Sequence, residues 1–169
     1  MDEQDAERMP EQLAREVQRL FDSVVQELGE TFSRELLRAE IGYRRLKPIR
    51  TIDNVAFPVG TTGCAVALKD VDLILLRAGL EPLRHLFTEF HEGAHLLFGH
   101  VPSCPLTLAE FRRCPDLQGA IYRHRATAYD RPREKAAETM ATLLVERIVE
   151  YEEQKRENST PPHILDLYG

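Results

Sequence analysis

The chain has 169 residues, 43% hydrophobic and 30% charged, with a formal net charge of -6 at pH 7, enough for one globular domain with at most an added helical arm. The negative balance argues against a nucleic-acid surface, which needs clustered Lys and Arg. No apolar run approaches membrane-spanning length, and the acidic start from Met1 to Glu7 does not read as a signal peptide.

In chain order, residues 8–28 predict an amphipathic helix with Pro10 in its first turn. Met9, Leu13, Val17, Leu20, Phe21, Val24, Val25 and Leu28 form its apolar stripe, and Gly29 ends it. A second helix is expected over residues 31–45, closed by Lys47-Pro48. The basic run from Arg44 to Arg50 reads as a solvated face, with contact to an acidic partner as the alternative. Residues 51–59 suggest an edge strand limited by Pro58. The runs 64–68 and 71–76, on either side of Lys69-Asp70, suggest a hairpin. Pro82 then opens a helix to residue 98, stopped by Gly99. Residues 99–131 read as irregular, apart from a short helix over 107–112, and a connection of that length near a site suggests a lid or wall. A last helix is expected over 132–155. The organisation is thus a helical segment (1–50), a core (51–157) and a tail (158–169). Cys64, Cys104 and Cys114 are odd in number and lack a C-x-x-C spacing, so a reducing cytoplasm is expected over a disulfide framework.

The stretch with chemistry is His91-Glu92-Gly93-Ala94-His95, an H-E-x-x-H pattern. On a helix, positions i and i+4 differ by about 40° around the axis, so both imidazoles leave one face and can share an ion. Glu92 lies about 100° away, placed to act as a general base beside the metal. Phe87, His91, Ala94, His95 and Phe98 fall on one stripe, so the rings point toward a core, where their nitrogens need partners.

A catalytic zinc takes three protein ligands and keeps one position open. His100 lies about 180° from His91 on a continued helix, and the metzincin spacing fails, so His100 reads as a loop or capping residue. On the last helix Glu134, Ala137, Glu138, Ala141, Leu144, Val145 and Ile148 share a face. Two carboxylates on an apolar stripe need compensation. Glu134 as third ligand, with Glu138 hydrogen-bonding a ligand histidine, would supply it; pairing with Arg131 or Arg133 is the alternative. The donor set suits Zn2+, and Mn or Fe share it. For stabilising an oxyanion the candidates are His124, Tyr129, Tyr122 and Arg131.

Leu86 to Leu97 resembles the active helix of the ImmA/IrrE metallopeptidases. Glu134-Lys135-Ala136-Ala137-Glu138-Thr139-Met140-Ala141 resembles that family's second motif, E-x-x-A-[ND]-x-F-A. The likeness covers about residues 63–145 and departs at Glu138, Met140 and Val145-Glu146. It implies an α+β, zincin-like fold, mainly helical, with a small sheet packed against the H-E-x-x-H helix. It also implies His91, His95 and Glu134 as zinc ligands, Glu92 as base and Glu138 in the supporting acidic position. The activity implied is cleavage of a helix-turn-helix repressor, a separate protein, which derepresses mobile-element or stress genes. Two rivals are a metal-containing regulator that sequesters a repressor without cutting it, and a purely structural metal site.

Overall fold

A computed structural model describes residues 9–125 and 129–159. Its first helix, α1 (Glu11–Leu28), starts after Pro10, which sits at the N-cap instead of inside the first turn. The second, α2 (Arg34–Arg45), is capped by Ser33, whose Oγ accepts from the Leu36 N–H. Strand β1 (Ile49–Val55) begins earlier than the sequence suggested and breaks register after Ile52, where Asn54 has φ 61°. Strands β2 (Gly63–Ala67) and β3 (Asp72–Arg77) form the expected antiparallel hairpin, while β1 pairs in parallel with β3, giving the order β1-β3-β2.

Helix α3 (Pro82–Leu97) carries the H-E-x-x-H residues and has Pro82 at its start. After it come α4 (Leu108–Arg112), α5 (Pro115–Arg125) and α6 (Arg131–Ser159). Helix α5 corrects the irregular reading of 99–131: Pro115 opens a helix instead of breaking one. Helix α6 runs past residue 155, and the tail beyond 159 lies outside the described residues.

The architecture is α+β, with six helices and a mixed three-stranded sheet among the described residues. Alternation along the strands explains how it packs. Ala65, Ala67, Ile74 and Leu76 meet Leu96 of α3 on one face, while Cys64, Val66, Leu73 and Leu75 meet Phe111 and Tyr122 on the other. With both faces covered, β3 is apolar almost throughout. Helices α1, α2, α3 and α6 share a second core around Val24, Ile41, Phe90, Met140 and Leu144. The N-terminal helices are therefore packed into this core.

Two buried acids tie these layers together. Asp72 is 0% exposed and accepts from Arg45 Nε at 2.7 Å, with Lys47 Nζ at 3.2 Å. Arg44 bonds Glu40 and Ser23. Most of the basic run is thus engaged inside the fold, contrary to the solvated-face expectation, because a buried carboxylate without a cation is costly.

Candidate metal centre

Packing of α3 against α6 brings three side chains to one point. His91 Nε2 and His95 Nε2 are 3.3 Å apart, and Glu134 reaches them at 3.3 Å (Oε2 to His91) and 3.4 Å (Oε1 to His95). Ligands about 2.0–2.1 Å from a tetrahedral ion lie about 3.3–3.4 Å from one another. All three separations fall at that spacing, with one Glu134 oxygen facing each ring, so two imidazoles and a carboxylate fit a divalent metal. Among the described residues, this is the set whose ligand atoms could hold an ion. The Glu134 carboxylate is partly exposed. Burial works against its ionisation, yet hydrogen bonds to His91 and His95 and the charges of both rings hold it down at about 2. An anionic Glu134 is the state a ligand needs.

Glu92 stands beside the triangle and outside it. It is buried, and burial pushes its carboxyl upward, with the charges of His91 and His95 opposing the rise. The Ala65 N–H donates to it from β2. The strand approaches this closely because residue 63 is glycine: a Cβ there would lie 2.6 Å from Thr88 Cγ2 and 3.2 Å from Glu92 Cγ.

His95 is fixed from two further sides. Its Nδ1 lies 3.0 Å from His100 Nδ1, and the Tyr129 ring stacks on it at 4.0 Å between centroids. Burial, with the nearby charges of His95 and Arg133, pushes His100 down to about 4, so its ring is neutral at pH 7. A histidine that offers Nε2 as a lone pair carries its proton on Nδ1, and a neutral His100 can accept that proton's hydrogen bond. His100 reaches this place because Gly99, at φ 68°, turns the chain back at the helix end and leaves the His100 N–H bonded to the His95 carbonyl at 2.9 Å. The angle of a continued helix did not apply.

The other candidates divide. Tyr129 lines the cleft with Glu92 and Glu134, and its buried hydroxyl has no hydrogen-bond partner among the described residues. Burial pushes it up to about 12. Tyr122 is buried away from the cleft, edge-on to Phe57 at 5.0 Å. His124 and Arg131 are exposed and do not line the cleft. Glu138 is exposed too, a correction to its place on a buried stripe. The buried face of α6 centres on Ala137, Met140, Ala141 and Leu144, and Glu138 falls on its rim. It acts on His91 through charge, but His91 Nδ1 has no hydrogen-bond partner among the described residues.

Arg125, at the end of α5, is a cleft residue that the sequence did not single out. Its Nη1 is buried beside Tyr129 and Glu92 with no acceptor among the described residues, and its charge works against the rise of the Tyr129 hydroxyl. No periodic signal marked it, since the helix that presents it read as irregular chain. Cys64 also lines the cleft, where burial and the Glu92 charge push its thiol up to about 12, and it stands outside the group of converging ligand atoms. No family model, no curated protein and no solved structure matches the chain. Among the described residues no helix is long and apolar enough to cross a membrane.

Proposed function

We propose that this protein is a zinc-dependent endopeptidase of zincin-like design. The observation that carries the reading is the triangle of His91, His95 and Glu134 with a buried, raised-pKa Glu92 set beside it. A ligand set alone would serve storage or structure; a neighbouring carboxylate that is neither ligand nor ion-pair partner has the attributes of a general base.

A divalent metal on these three residues supplies Lewis acidity, which acidifies water and polarises a carbonyl. Glu92 takes the proton of the attacking water and delivers it to the leaving amine. Its raised pKa makes it a better proton acceptor than an ordinary carboxylate. Tyr129 Oη and Arg125 Nη1 are buried donors side by side in the same cleft, with no acceptor among the described residues, so they suit the carbonyl oxygen as charge develops on it. His100 and the Tyr129 ring hold the His95 imidazole in its ligand orientation. The resemblance of residues 86–97 and 134–141 to ImmA/IrrE peptidases makes a helix-turn-helix repressor the proposed substrate, cut in the cytoplasm.

Metal content and turnover test this together. Wild-type protein supplied with zinc should hold about one ion per chain, and Glu134→Ala should lose it. Glu92→Gln should keep the ion while repressor cleavage falls about 10²–10⁴-fold. Repressor release that survives Glu92→Gln in cells would favour sequestration without cutting.

A further inference from the structure

A groove of about 620 Å³ runs between the start of α3 and the second half of α6. Its floor is made of two pairs at i, i+4 spacing, Leu83 with Phe87 and Val145 with Val149, one pair on each helix. Two such ridges side by side form a trough with the shape that receives a third helix. Leu83 is 63% exposed and belongs to none of the apolar cores, and with Phe87, Val145 and Val149 it makes one apolar patch.

The rim is acidic. Glu81, Glu146 and Glu150 stand against Arg84. Glu150 is paired with Arg147 at 3.3 Å, whereas Glu81 and Glu146 make no ion pair among the described residues. The groove also adjoins the candidate metal centre. Arg84 and Phe87 line both it and a smaller cavity of about 200 Å³, which in turn contains His91 and Glu134. Glu138, displaced from its expected role, lines that connecting cavity and adds another negative charge to the path.

We infer that this groove docks an amphipathic, lysine- or arginine-flanked helix of the protein substrate and leads the adjoining chain to the metal centre. Apolar side chains of that helix fill the trough, and its basic residues face Glu81 and Glu146. Charge complementarity and the position beside the cleft select this occupant over a lipid chain or an acidic partner. The role as substrate dock rests on the peptidase reading; the binding itself does not.

The test uses the full chain, prepared without metal, and fluorescein-labelled helical peptides of about 18 residues. One peptide carries Leu at helical spacing and Lys elsewhere; its counterpart carries Glu in place of Lys. Anisotropy should show binding of the Lys peptide, weakened about tenfold or more by Leu83→Asp and by Glu146→Lys. The control Glu27→Lys, with the same charge change on the exposed side of α1, should shift affinity by less than about twofold. Equal loss in the control, indifference to Leu83→Asp, or equal binding of the Glu peptide would overturn the inference. So would sedimentation showing a wild-type dimer that Leu83→Asp dissociates, since a second copy would then be the occupant. His95→Ala separates the two readings: supplied with zinc it should fail to hold the ion, yet without metal it should bind the Lys peptide as wild type does.

Discussion

Helix α3 carries two buried glutamates one turn apart, and they are treated in opposite ways. Glu89 is 0% exposed and saturated: Arg34 Nε donates at 2.6 Å, Arg38 donates from its Nε and Nη2, and Thr51 Oγ1 donates at 3.3 Å. The network continues outward, with Arg34 Nη2 donating to His85 Nδ1 at 2.6 Å and His85 Nε2 donating to Asp53 at 2.5 Å. Among the described residues Glu92 has a backbone donor and no Lys or Arg ion pair, and its carboxyl is shifted upward. The same residue type on the same helix is closed at one position and left open at the other. A closed carboxylate locks α2 and β1 onto α3; an open one keeps a proton in play.

Replacing each acid in turn breaks the comparison at its sharpest. Glu89→Gln strands two guanidinium groups that are 26% and 33% exposed. Because both reach solvent, the loss should fall at the low end for broken buried pairs, about 3 kcal/mol of unfolding free energy, read by urea denaturation. Zinc content at saturating metal should be unchanged. Glu92→Gln should do the reverse, leaving the denaturation midpoint near wild type while abolishing most turnover. Equal destabilisation by the two variants would mean that Glu92 is a structural acid as well.

A smaller effect is expected at the cleft wall. Tyr129→Phe removes a buried hydroxyl that faces the cleft but keeps the ring stacked on His95. The prediction is a loss of about 10² in kcat with little change in zinc affinity, the signature of a donor that acts as charge develops. A change in zinc affinity with kcat intact would reassign Tyr129 to holding the ligand.

Part of this was legible in the chain and part was not, for reasons particular residues make plain. His91, Glu92, His95 and Glu134 could be placed together because helical spacing is rigid and an acid on an apolar stripe stands out. The hairpin and the Pro82 helix start were readable for the same local reasons. Glu138 misled because a helical wheel gives a face but not which part of that face meets the neighbour. Arg125 was invisible: it becomes a cleft residue only once Pro115 is seen to open α5 and that helix is laid over the sheet. Glu89 gave no sign either, since its partners lie 38 to 55 residues away in sequence.

His100 shows the limit best and yields the mildest prediction. Its place was excluded by projecting a straight helix, yet Gly99 bends the chain so that the imidazole returns to His95. If its task is to accept the His95 Nδ1–H, then His100→Ala should weaken zinc binding about 10–100-fold, as the loss of a ligand-orienting partner does. His100→Asn, whose side-chain oxygen can accept the same bond, should recover part of that loss. A merely structural histidine would cost thermal stability equally in both variants and leave zinc competition assays unmoved. Rescue by Asn in the competition assay would assign His100 to the metal centre, which in this chain would then extend past the helix end and depend on the turn at Gly99.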